Sequence, residues 1–104
     1  MGYNTSYELS ILGDHYELLE SIIENDREMF YGINSDGSTY DSVKWYDHEI
    51  DMKYISSLHP SHIFMLEGSG EDSGDIWVKY FKGGKMQVCR AKITFDEYDE
   101  EKLV

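Results

Sequence analysis

Ile76-Trp77-Val78-Lys79-Tyr80-Phe81-Lys82-Gly83-Gly84-Lys85-Met86-Gln87-Val88-Cys89-Arg90-Ala91-Lys92-Ile93-Thr94-Phe95 is the stretch that decides the fold. Ile76 to Phe81 and Met86 to Phe95 are rich in β-branched and aromatic residues, and Gly83-Gly84 parts them. A glycine pair between two such runs is a hairpin signal, because tight hairpin turns need positive φ at both central positions. Working back, Gly68 to Gly74 reads as a flexible acidic loop. Ile63 to Leu66 is apolar and too short for a helix, so it reads as a buried central strand. Pro60 ends a helical pattern in which Ile50, Tyr54, Ile55 and Leu58 form one stripe and Asp47 can cap the start. A strand is expected over Tyr40 to Tyr46, packing through Tyr40, Val43 and Trp45.

Residues 32–38 are turn chemistry. Ahead of them, Leu18, Leu19, Ile22, Ile23 and Met29 keep helical spacing, with Glu20, Glu24 and Asp26 left for the outer face. Asp14 is placed as N-cap and Glu17 as its capping-box partner. The chain opens with Tyr3, Thr5, Tyr7, Leu9 and Ile11 on one face of a strand that Gly13-Asp14 closes. The predicted order is β-α-β-α-β-β-β. This is an α+β class that nearly reproduces the ferredoxin-like split βαβ plan, an antiparallel sheet with two helices packed on one face, plus an extra strand. Such a fold hosts unrelated functions and fixes none of them. Residues 1–98 are expected to form a single acidic domain, and 99–104 an acidic tail that frays.

Charge is distributed very unevenly over the 104 residues and net −12. Residues 1–78 hold 16 Asp/Glu against 3 Lys/Arg; residues 79–95 hold 5 Lys/Arg and no acid; residues 96–104 hold 5 acids and Lys102. The 9 Tyr, 4 Phe and 2 Trp argue for a folded domain beneath this charge, since disordered acidic chains lack aromatics. A mostly anionic surface disfavours direct nucleic-acid binding. No apolar run approaches the length of a membrane span, and no signal-peptide pattern is present, so a cytoplasmic protein is expected. Met1-Gly2 with Ser6 fits a myristoylation pattern superficially, but strand periodicity begins at once. The lone Cys89 leaves no intramolecular disulfide, and it reads as a small buried hydrophobe.

Lys44-Trp45-Tyr46-Asp47-His48-Glu49, followed by Gly74-Asp75-Ile76-Trp77-Val78-Lys79-Tyr80-Phe81, resembles a set of small acidic proteins of unassigned function from bacteriophages and mobile elements. The resemblance covers about residues 40–95 and implies a ferredoxin-like accessory protein that acts on a host factor in the host cytoplasm. It brings no site residues with it.

Four clusters carry chemistry. Trp45, Tyr46, Asp47, His48 and Glu49 stand at a strand-to-helix junction. His48 with Asp47 or Glu49 would suit general acid–base work, but no nucleophile or oxyanion donor accompanies them. The structural reading, with Asp47 capping and Trp45 in the core, is favoured. His59 and His62 straddle Pro60 without a third metal ligand. Glu67, Glu71, Asp72 and Asp75 lie among glycines but lack EF-hand spacing. Lys79, Lys82, Lys85, Arg90 and Lys92 form the basic patch, which either neutralises nearby acids and guards a sheet edge or docks a partner.

The expected function is that of a non-catalytic acidic binding protein. It would be an inhibitor that mimics nucleic acid and blocks a host nucleic-acid-binding or defence protein through Glu17, Glu20, Glu24, Glu71, Asp72 and Asp75. The expected partner is a protein with a basic surface; a homodimer is compatible with the exposed strand edges. No cofactor or metal is expected. The alternative is a small-ligand or metal-dependent domain, including an enzyme, using the Trp45–Glu49 junction.

Overall fold

The computed structural model describes residues 3–104; Met1 and Gly2, on which the myristoylation pattern rests, lie outside the described residues. The elements are β1 (Thr5–Ile11), α1 (Tyr16–Asn25), α2 (His48–Leu58), β2 (Phe64–Gly70), β3 (Ile76–Lys82) and β4 (Lys85–Arg90), then a 3-10 turn at Glu100–Lys102. The strands form one antiparallel sheet in the order β1-β2-β3-β4. The protein is therefore α+β, with a four-stranded antiparallel sheet and two helices. The order β-α-α-β-β-β is not the ferredoxin-like order expected from sequence: the strand placed at Tyr40 to Tyr46 does not form.

Backbone chemistry explains that difference. Residues 37–43 run along the outer edge of β1 as irregular chain. Thr5 and Val43 exchange both backbone bonds (2.8 and 2.9 Å), Leu9 N–H reaches Gly37 O (2.8 Å), and the Thr39 hydroxyl serves both Tyr7 N–H and Tyr7 O. The edge is satisfied without a regular ladder. Gly37 sits at φ +91° with its Cα against Leu9 O, an approach no side chain would permit. Tyr40, expected in the core, is exposed, whereas Trp45 is buried.

The hairpin forms as its glycines require. Gly83 (φ 57°) and Gly84 (φ 82°) join Lys82 to Lys85 across a two-residue turn, and Gly84 N–H donates to Ser56 Oγ on α2 (2.9 Å). β4 stops at Arg90 rather than Phe95, because β3 begins at Ile76 and offers residues 92–95 no neighbour. β2 is longer than expected and takes in Gly68, Glu67 and Gly70, residues read from sequence as loop or its rim.

Side chains alternate strictly across the sheet. Tyr7, Leu9, Ile11, Phe64, Leu66, Trp77 and Phe81 face the helices and are buried. Both helices cover that one face, since Leu19, Ile22 and Ile23 of α1 and Met52 and Ile55 of α2 belong to the same core, together with Phe30 and Ile33. α1 begins at Tyr16 with His15 at its N-cap, not Asp14, and no side chain caps it. On α2 the buried positions are Met52, Ile55 and Ser56, while Ile50, Tyr54 and Leu58 are more than half exposed. The helix is rotated away from the predicted stripe because Ser56 is drawn inward to the hairpin, with its hydroxyl donating to Lys53 O. The opposite sheet face, with Glu8, Glu67, Val78, Tyr80, Gln87 and Cys89, has no helix over it. Cys89 is accordingly half-buried on that face rather than in the core.

Candidate functional site: a polar clamp at the start of α2

Across the middle of the sheet, Tyr7, Gly68, Trp77 and Arg90 lie in one row, and Leu9, Leu66, Lys79 and Val88 in the next. Gly68 has no side chain to obstruct the Trp77 indole, which fills the space a Cβ would take. The first turn of α2 lays His48 over that indole, stacked with centroids 5.2 Å and planes 11° apart. Lys79 is 7% exposed, and its Nζ lies 2.7 Å from His48 Nε2, 2.8 Å from Glu49 Oε2 and 4.1 Å from the Trp77 ring centroid.

The hydrogen-bond partners assign the His48 tautomer. Nδ1 stands 2.8 Å from Trp45 O, which can only accept, so Nδ1 carries the proton; Nε2 then accepts from the Lys79 ammonium. Burial holds the His48 imidazole below its ordinary value, and the Lys79 charge adds to this. The Lys79 hydrogen bond holds Glu49 below the usual carboxylate range. Tyr7 Oη also donates to Trp45 O (3.3 Å), and Trp45 Nε1 donates to Asp51 Oδ2 (2.7 Å). Burial raises the Tyr7 phenol.

This geometry joins α2, β1 and β3 around the Trp45 carbonyl. It corrects two sequence expectations. Lys79 is not part of a surface basic patch but the buried centre of the clamp. Asp47 occupies the N-cap position without a side-chain capping bond, and the His48 ring secures the helix start instead. Tyr46 is exposed, and its hydroxyl accepts from Tyr3 N–H.

The acidic candidates fall into two groups. Glu17, Glu20 and Glu24 are exposed along the outer face of α1; Glu24 accepts from the Ser35 hydroxyl. Glu71 and Asp72 are exposed in the β2–β3 turn, where Glu71 accepts from Asn4 N–H (3.0 Å). Asp75 differs: it is half-buried and accepts from the Tyr3 phenol (2.6 Å), a bond that raises the phenol above its ordinary value. It fastens the segment before β1 and is not a free surface charge.

Among the described residues one ion pair forms, Lys79–Glu49. Lys82, Lys85, Arg90 and Lys92 are exposed without an ion-paired carboxylate among the described residues. His62 packs edge-on against His15 and His59 lies beside Phe64. Among the described residues no three His, Cys, Asp or Glu side chains converge on a point that could hold a metal ion, and no helix is long and apolar enough to cross a membrane.

Sequence reasoning missed the clamp, although its signal was present. Trp77, Lys79 and Phe81 share a face by period 2, and a lysine flanked by two inward aromatics must itself point inward. The chain matches no protein-family model, and no curated protein or solved structure matches it.

Proposed function

We propose that this protein is a non-catalytic acidic binding protein whose exposed carboxylates dock on the basic, nucleic-acid-binding surface of a partner protein. The observation that carries the reading is the scarcity of internal ion pairs: of the charged groups described, only Lys79 and Glu49 pair, while the net charge is −12. The acids of α1 form a row. Glu17, Glu20 and Glu24 follow one another at rises of roughly 4.5 and 6 Å along the helix axis. These intervals are wider than the roughly 3.4 Å per phosphate along one strand of a duplex, so the row offers an aligned run of negative charge rather than a matched spacing. Glu71 and Asp72 add a second exposed pair. A surface of this kind speeds association with a basic groove and makes affinity salt-sensitive.

Two features support binding over catalysis at the Trp45–Glu49 junction. Both ring nitrogens of His48 are engaged within the protein. Glu49, the other acid–base candidate there, is committed to Lys79. The resemblance to phage and mobile-element proteins fits an inhibitory role toward a host nucleic-acid-handling or defence protein.

The test is capture of partners by the tagged chain at low ionic strength, with identification of what is retained. The reading expects a nucleic-acid-binding protein, released by added DNA or by salt of about 0.5 M. It further expects retention to be lost in Glu20→Lys/Glu24→Lys or in Glu71→Lys/Asp72→Lys, with the circular dichroism of the domain unchanged. Equal retention by both variants would defeat it.

A further inference from the structure

β4 is an edge strand with unlike ends, the hairpin at Lys85 and the outgoing chain at Arg90. Ala91 N–H donates to Ile76 O, so by antiparallel alternation the backbone N–H and C=O groups of Arg90, Val88 and Met86 point away from β3. Among the described residues no strand covers that edge, in contrast to β1, whose edge residues 37–43 occupy. Past Arg90 the sequence keeps strand character: Ala91, Ile93 and Phe95 alternate with Lys92 and Thr94. Yet beyond Ala91, which still bonds to Ile76, these residues leave the sheet. Ile93 is 61%, Phe95 91% and Tyr98 78% exposed. The radius of gyration is 16.5 Å with a longest extent of 56 Å, against about 13 Å expected of a compact chain this long.

Charge says which surface such a segment fits. The projecting segment carries Asp96, Glu97, Asp99, Glu100 and Glu101. At the other end of β4, Lys82 and Lys85 flank the hairpin without an ion pair among the described residues. Beside them lies a shallow groove lined by Leu12, Ile63, Tyr80 and Met86. The acidic-aromatic segment and the basic-apolar groove sit at opposite ends of the same strand, so within one chain they cannot meet along β4. In an antiparallel pair of β4 strands they must: the continuation of one copy past Arg90 runs by the hairpin of the other.

We propose that two copies of this chain associate about a two-fold axis through their β4 edges. Residues 91–97 of each then extend β4 along the partner, setting Asp96 and Glu97 beside the partner's Lys82 and Lys85. The basic residues on this edge discourage pairing with arbitrary strands and select an acidic one. The arrangement uses the same surface twice, as a closed dimer requires. It also supplies the neighbour whose absence ends β4 at Arg90 in the single chain. This dimer stands apart from the partner-binding reading, since the α1 and 71–72 carboxylates take no part in it.

The experiment is sedimentation of the full chain over a concentration series at low and high salt. The proposal expects a species of twice the 12.2 kDa chain mass, loosened by salt. Lys82→Glu/Lys85→Glu and Asp96→Lys/Glu97→Lys should each weaken dimerisation about tenfold or more, and the four substitutions combined should restore it. Circular dichroism and the urea midpoint of each variant establish that the domain remains folded. A chain that stays monomeric at every concentration overturns the proposal, whether the tail folds back on its own body or awaits another protein. So does a dimer indifferent to both charge reversals, or one that the combined variant fails to recover.

Discussion

The imidazole of His48 lies flat on the indole of Trp77 while its Nε2 accepts a hydrogen bond from the buried ammonium of Lys79. Helix α2 is thus fixed to strand β3 by one stacked pair, one charged hydrogen bond and the Glu49–Lys79 ion pair. The stack sets the orientation of the helix, and the hydrogen bond fixes which ring nitrogen carries the proton.

The two halves of the Lys79–Glu49 pair are unequal, and their removal should be unequal too. Lys79 is buried, whereas the Glu49 side chain is 43% exposed. Deleting the carboxylate strands a cation inside the protein; deleting the cation leaves a carboxylate that water can reach. Glu49→Ala should cost about 1–2 kcal/mol, discounted from a fully buried pair for solvent screening. Lys79→Met keeps the packing over Trp77 and should cost less than half of that. Urea denaturation of the two variants decides it, and the reverse order would mean that the amine is not desolvated as its surroundings indicate.

His48 should make stability fall on the acid side of neutrality. Its folded-state pKa lies below the ordinary 6.5, so the unfolded chain takes up a proton more readily than the folded one. The stabilisation is complete above about pH 6.5 and is lost as pH drops toward the depressed folded value. Asp51 and Glu49 also face this ring and oppose the depression, whereas Lys79 reinforces it. Because many carboxylates titrate lower down, the informative quantity is the difference between wild type and His48→Gln. The gap in urea midpoint between the two should be wider at pH 7.5 than at pH 5.5. A gap independent of pH would remove His48 protonation from the account.

Gly68 and Gly37 test close approach. A Cβ on Gly68, whose φ is not positive, would run into the Trp77 ring, so Gly68→Ala acts through overpacking alone. Gly37→Ala adds left-handed strain at φ +91° to a clash with Leu9 O. Each should cost about 1–3 kcal/mol. Gly74→Ala, also at positive φ but with only Ile93 at 3.6 Å nearby, carries the left-handed strain without the clash and should cost about 1–2 kcal/mol, less than Gly37→Ala. Denaturation midpoints of the three variants give the ranking.

The hairpin, the inward face of β1 and the apolar face of α1 were legible because local pattern and tertiary need agree there. Gly83-Gly84 needs no distant partner to be a turn, and Leu19, Ile22 and Ile23 meet the sheet at helical spacing. The failures have one cause. Tyr40 to Tyr46 contains strand formers, but the β1 edge is served by the Thr39 hydroxyl and the backbone at Gly37 and Val43, a fit no pattern encodes. The α2 stripe was misplaced for the same reason, Ser56 being held inward by Gly84 across the fold. At the candidate site, the structure brings Trp45, His48 and Glu49 together and leaves Tyr46 and Asp47 exposed, while their partner Lys79 was assigned to the surface by its charge alone.

A chain of net charge −12 with one ion pair among its described residues should be less stable at low ionic strength than at high. Repulsion among Glu17, Glu20, Glu24 and their neighbours opposes compaction, and salt screens it over a Debye length that falls to about 8 Å at physiological strength. The thermal midpoint should therefore rise by several degrees between dilute buffer and physiological salt. Glu20→Gln/Glu24→Gln should reproduce much of that rise in dilute buffer and lose its advantage as salt is added, because both act on the same repulsion. If the acids served stability, the same substitutions would lower the midpoint instead. A row of carboxylates that costs the isolated domain stability is what a surface shaped for a cationic partner would show, and the sign of that change separates a docking surface from a structural one.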